Sequence, residues 1–142
     1  ITQLNEPIIE FFKTQKGVYF VSGQNQEINI WQINKQNKAE RLNSFRLALN
    51  FSEIDFGWAQ KEDTLYLSFA GEILELNLKT KEKKKSELDS TIYRLLAYLD
   101  NKKYFIGLKK PSALKEYSLV IFNEKDIVFE SPIKEKIVYL GS

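Results

Sequence analysis

The chain contains no cysteine, no histidine and no methionine. Without cysteine there is no disulfide and no thiolate chemistry, and the redox compartment is left open. The lack of histidine removes the commonest general base and the commonest zinc ligand together. Translation begins with methionine, so Ile1 at the front is explained by a cleaved leader or by excision from a longer protein. The cytoplasm is slightly favoured as the compartment. Glycine and proline are scarce, at six and three. No apolar run reaches the roughly eighteen residues that a membrane-spanning helix needs, so no span is expected.

What is present points to strands. A length of 142 residues suits one ordinary domain, and 43% hydrophobic with 13% aromatic residues is enough to fill a core. Ile, Leu, Phe, Tyr and Val dominate that apolar fraction, and these residues fit a pleated, half-buried surface. The net charge of +2 is unevenly spread: residues 1–78 balance at −3, residues 79–115 at +7 and residues 116–142 at −2. The basic middle segment could face an acidic partner, or its lysines could simply be solvated turn residues.

In chain order, Ile8–Phe12 is an apolar run, Lys13–Gly17 a turn, and Val18–Ser22 a second strand. Glu27–Ile33 alternates, with Ile28 and Ile30 on one face and Trp31 and Ile33 on the other, as expected of a strand packed between layers. Asn34–Lys38 is a turn returning through Ala39–Leu42. Ser44–Asn50 is open between one helical turn and an extension of that strand. Glu53–Trp58, Thr64–Phe69 and Glu72–Leu78 follow, with a turn at Ala70-Gly71. The charged hairpin Lys79–Lys85 leads into Ser86–Leu88. A third pass reads Ser90–Tyr98, Tyr104–Leu108, Glu116–Phe122 and Ile127–Glu130, closed by Ser131-Pro132 before Glu135–Leu140.

Aligned on Ile9, Ile54, Ile92 and Ile137, the first strands recur at spacings of 45, 38 and 45 residues, with four β-type runs in each interval. That period and strand count are those of β-propeller blades. The expected fold is all-β: antiparallel four-stranded blade-like repeats, about three blades plus flanking strands of one propeller segment over residues 1–142. The units are 8–50, 51–90 and 91–132, with 133–142 opening a further one. An unrelated β-sandwich or barrel of many short strands is the alternative.

Gln26–Ile33 and Gly71–Leu78, reading Gln-Glu-Ile-Asn-Ile-Trp-Gln-Ile and Gly-Glu-Ile-Leu-Glu-Leu-Asn-Leu, resemble the third strand of a WD40 repeat, commonly Asp-Gly-x-Ile-x-Ile-Trp-Asp-Leu. Trp31 falls at the WD40 tryptophan, and Trp58 and Tyr98 stand where that family often places an aromatic in the first strand. Gln32 replaces the family's aspartate, and Leu76 and Ile121 or Phe122 replace its tryptophan in the later units. The Gly-His pair cannot exist here, so the Asp-His-Ser-Trp network of WD40 repeats is not expected. The resemblance implies a protein-interaction scaffold. Because three units do not close a ring of four to eight blades, completion by further chain, a second copy or a protein partner is expected.

Catalytic chemistry finds little to work with. Asp63 and Asp100 sit in turns between first and second strands, where Asp commonly bonds its own backbone. Glu72 and Glu75 are three apart on a strand and so lie on opposite faces, which argues against a paired-carboxylate site. There is no phosphate loop, Ser-His-Asp set or zinc spacing, so no enzyme, cofactor or metal site is expected. The candidate binding surface is basic: Lys83, Lys84, Lys85, Lys102, Lys109, Lys110 and Lys115. Aromatics interleave with lysines around Lys102–Phe105, which makes a ligand- or nucleic-acid-binding propeller using 79–115 the alternative function. The weak overall basicity argues against nucleic acid. For packing, Phe56 or Trp58, Leu65, Leu67 and Ile73 are expected to be buried.

Overall fold

Alternating sequence becomes twelve antiparallel strands in the computed structural model, which describes residues 6–50, 56–89, 91–109 and 117–133. The first sheet is β1 (Ile8–Thr14), β2 (Gly17–Gln24), β3 (Glu27–Ile33) and β4 (Ala39–Arg46). The second is β5 (Phe56–Lys61), β6 (Thr64–Phe69), β7 (Glu72–Asn77) and β8 (Lys83–Lys85). The third is β9 (Ile92–Leu99), β10 (Tyr104–Lys109), β11 (Tyr117–Phe122) and β12 (Ile127–Ile133). In every sheet the spatial order is the chain order, so each is a four-stranded meander that pairs only with its sequence neighbours. The fold is all-β with three repeated antiparallel four-stranded sheets. No helix among the described residues is long and apolar enough to cross a membrane.

Short turns set these registers. Ala70 and Gly71 both take positive φ, 50° and 99°, which matches the twist of a two-residue hairpin and joins β6 to β7 without slack. Three asparagines do the same work at the return from third to fourth strand. The Asn34 side chain accepts the backbone N–H groups of Gln36 and Lys38, Asn77 those of Lys79 and Thr80, and Asn123 those of Lys125 and Asp126. The repeat is therefore visible in turn chemistry as well as in strand count.

The sheets stack in order, and two cores lie between them. Phe12, Tyr19, Val21, Ile28 and Ile30 of the first sheet meet Phe56, Leu65, Leu67, Leu74 and Leu76 of the second. Ala59, Tyr66 and Ile73 on the other face of the second sheet meet Ile92, Leu95, Phe105, Val120 and Phe122 of the third. Phe56, Leu65, Leu67 and Ile73 are buried as expected, and Trp58 is half-buried against Phe12, with ring centroids 4.7 Å apart.

The open segment at Ser44 is settled, and two boundaries differ from the sequence expectation. Ser44–Arg46 extends β4, and Leu47 then turns into the first core, so there is no helical turn. The fourth strand of the second sheet is Lys83–Lys85 itself, with Leu74 opposite Lys85 and Leu76 opposite Lys83, whereas Ser86–Leu88 is irregular. Leu88 is apolar because it enters the second core, not because it belongs to a strand. Pro132 lies within β12, opposite Ser118, where an outermost strand tolerates a missing N–H. Ile54, Ser90 and the strand expected at Glu135–Leu140 lie outside the described residues.

Candidate functional site

The lysines singled out in sequence occupy separate places. Lys83, Lys84 and Lys85 are β8, the outer edge of the second sheet, and all three are exposed. Alternation sends them to different partners. Lys83 Nζ donates to the Ser44 carbonyl at 2.6 Å and lies 5.5 Å from the Phe45 ring centroid, both on β4 of the first sheet. Lys84 faces Glu75 at 4.0 Å and Lys85 faces Glu72 at 3.8 Å. Lys102 is exposed in the β9–β10 turn, while Lys109 ends β10 and pairs with Glu130 at 3.5 Å. Strand β10 lies between those two, and its extended chain from Tyr104 to Lys109 spans roughly 17 Å. Lys110 and Lys115 lie outside the described residues.

The carboxylates serve the joints between sheets. Asp63 accepts Lys16 Nζ at 2.9 Å and faces Lys79 at 3.7 Å, so its side chain ties the β5–β6 turn to the β1–β2 turn instead of bonding its own backbone. That hydrogen bond holds the Asp63 carboxyl below its ordinary value and raises the Lys16 ammonium. Across the second joint Lys61 bonds Glu124 in the β11–β12 turn, lowering the Glu124 carboxyl and raising Lys61. The Asx geometry expected at Asp63 is found at Asp89, which accepts the Thr91 N–H at 2.9 Å and the Thr91 hydroxyl at 2.7 Å. Asp100, whose turn reading rested on the same chemistry, lines a groove with Lys13, Lys16, Gln60, Glu62 and Asp63. That groove, about 760 Å³ and open to solvent, collects first-to-second-strand turns from all three sheets. Its charges are of both signs. Among the described residues no group of three or more acidic side chains is placed to hold a metal.

The first sheet carries a polar chain around Trp31. Trp31 Nε1 donates to Ser22 Oγ at 2.8 Å, and the Ser22 hydroxyl donates to Glu6 Oε1 at 2.6 Å. Asn29 Nδ2 donates to the same carboxylate oxygen at 2.6 Å. Trp31 thus reaches a buried serine, with Glu6 closing the network.

The two ends of the stack stand apart from its middle. On the first sheet's outer face Phe11, Phe20, Trp31 and Arg41 are directly opposite one another across β1 to β4. Phe20 and Trp31 stack with rings 5.8 Å apart, and Phe11 lies 5.1 Å from Phe20 yet is 55% exposed. On the third sheet's outer face Ala97, Ile106, Ile121 and Phe129 form the corresponding row across β9 to β12, and Phe129 is 51% exposed. Of the exposed large apolar residues, Ile8, Phe11, Tyr117, Val128 and Phe129 belong to the two end sheets and Leu49 to the segment after β4; none is on the second sheet, which is covered on both faces. No family model matches the chain, and no curated protein matches it in sequence. Sequence reading missed the two rows because their apolar members also look like core, and only the stacking order shows which face is left over.

Proposed function

We propose that this chain is a non-catalytic protein-interaction scaffold, a segment of a WD40-like β-propeller whose sheet array is completed by additional chain or by a protein partner. The observation that carries the proposal is the contrast just described: a middle sheet with both faces buried, and end sheets each presenting a transverse apolar row. Phe11 and Phe129 are the exposed members of these rows, and apolar surface left in water beside half-buried apolar neighbours marks interaction sites. The Trp31–Ser22 hydrogen bond and the chain-ordered meanders support the WD40-like part of the reading. The fold by itself does not license an activity, so the argument rests on those faces.

The test exploits the lack of native cysteine. Phe11→Cys and Phe129→Cys are each labelled with a maleimide in a lysate of the native cell, with Leu49→Cys as the reference. Protection of positions 11 and 129 by about tenfold or more relative to 49 is expected. Equal labelling at all three refutes a completed array.

Binding of a ligand or nucleic acid through the lysine-rich 79–115 region is the alternative. Against it, Lys83, Lys84, Lys85 and Lys109 each have a protein partner, and those partners are spread over all three sheets.

A further inference from the structure

Both joints in this molecule are made by unlike faces. Side chains alternate along a strand, so each sheet has a leading face and a trailing face. The first sheet's trailing face, with Tyr19 and Val21, meets the second sheet's leading face, with Leu65 and Leu67. The second sheet's trailing face, with Tyr66, meets the third sheet's leading face, with Phe105 and Phe122. Among the described residues two faces have no sheet stacked on them: the leading face of the first sheet, where Phe11 is exposed, Trp31 half-buried and Phe20 buried beneath them, and the trailing face of the third, where Phe129 is exposed and Ile106 and Ile121 are half-buried. They are the two halves of one more joint of the same hand, carried at opposite ends of one chain.

We infer that the occupant of these faces is a second copy of this chain, the third sheet of each copy stacking on the first sheet of the other. The inference rests on the reading of the array as a propeller segment and names its partner. A contact between unlike faces either closes into a ring or runs on as a filament. Two copies of the three described sheets give six, inside the range of four to eight at which blades close. Closure forms the missing joint twice and covers Phe11 and Trp31 of each copy with Ile106, Ile121 and Phe129 of the other. The joints already present mix rings and branched chains in this way, Phe12 and Tyr19 packing among leucines in the first.

Light scattering coupled to size exclusion on the 142-residue chain is expected to give twice the 16.6 kDa chain mass. Phe11→Glu and Phe129→Glu each place an unpaired charge in both copies of the contact. Each is expected to weaken association at least about a hundredfold, giving the single-chain mass at concentrations where the parent is paired. Both side chains are half exposed, so far-UV circular dichroism should show folded variants. Leu49→Glu, on neither face, should leave the mass at two copies. Dissociation by only one of the two variants would mean that like faces meet, and overturns the inference. So does a single-chain mass for the parent, or an open-ended polymer. If the parent is single while positions 11 and 129 are protected in the cell lysate, the scaffold reading stands and the second copy falls. If those positions are unprotected as well, both fall.

Discussion

The two joints of the stack hold their sheets in different ways. The first is lined by side chains and bridged at its rims: Lys16 to Asp63 at one place, Lys81 to Glu40 at 3.0 Å and Lys83 to the Ser44 carbonyl at another. The second brings backbone close to backbone. A methyl group on Gly57 of β5 would lie 2.3 Å from the Leu95 carbonyl oxygen of β9 and 2.8 Å from Ser68 Oγ. The buried Ser68 hydroxyl in turn accepts the Leu95 N–H at 2.9 Å, and the Gly71 N–H donates to the Tyr93 carbonyl at 3.2 Å. Both joints have a charged rim pair, Lys61–Glu124 at the second, but the one that adds direct backbone contact has little room for adjustment, whereas one bridged through long side chains can give.

The largest expected effect follows from that rigidity. Phe105 is fully buried among Tyr66, Tyr98 and Phe122, with centroids 5.0, 4.7 and 5.4 Å away. Phe105→Ala should destabilise the chain by about 4 kcal/mol, because the surrounding sheets cannot collapse into the cavity. Leu67→Ala in the first joint should cost about 3 kcal/mol, at the yielding end of the range for such truncations. Urea denaturation compares the two, and an equal or reversed order breaks the contrast between joints.

Gly57→Ala is expected to come next, at about 2 kcal/mol, by forcing β5 and β9 apart. The substitution adds a helix- and strand-compatible residue at an ordinary backbone angle, so any loss reports the close approach alone. Unchanged stability would show that the second joint yields as readily as the first. Ser68→Ala should follow, at about 1–2 kcal/mol, since it leaves the buried Leu95 N–H without its acceptor.

Which of these features could be seen in the sequence depends on how local their causes are. Strand runs such as Glu27–Ile33 and Thr64–Phe69 were legible because alternation and turn residues are short-range signals. The repeat was legible for the same reason, and Asn34, Asn77 and Asn123 give a turn signal that the strand alignment did not use. The outer fourth strand was legible within Lys79–Leu88, but its limits at Lys83–Lys85 were not, since an outer edge exposes all three side chains and no apolar alternation is required of it. Gly57 looked like any strand glycine, and Ser68 like any strand serine; their meaning comes from β9, which lies in a different sheet. The Lys16–Asp63 pair likewise joins turns of two sheets, a proximity that no local pattern encodes. The candidate interaction faces were the least legible, because an apolar row on an end sheet is identical in pattern to one that is covered.

The smallest effects are in titration, where the rim pairs of both joints share one sign and Glu10 has the other. The Asp63 and Glu124 carboxyls are held below their ordinary values of 3.8 and 4.5 by bonds to Lys16 and Lys61. Their contribution is complete above those ordinary values and is lost as pH falls through the lowered folded values. For the partly exposed Lys61–Glu124 pair it is below about 1 kcal/mol. Glu10 on β1 runs the other way. Burial raises its carboxyl above 4.5, with Arg94 of β9 pulling it back. The folded chain therefore takes up that proton first, so stability rises slightly as pH falls from neutral towards 4.5. The expected urea midpoint thus climbs a little on mild acidification and then drops. Glu10→Gln should abolish the climb and keep the drop, while Lys61→Gln should keep the climb and soften the drop. A midpoint that falls steadily from neutrality in the parent would show that the Arg94 guanidinium outweighs burial at Glu10, and that the inner strands of the first and third sheets are coupled by charge.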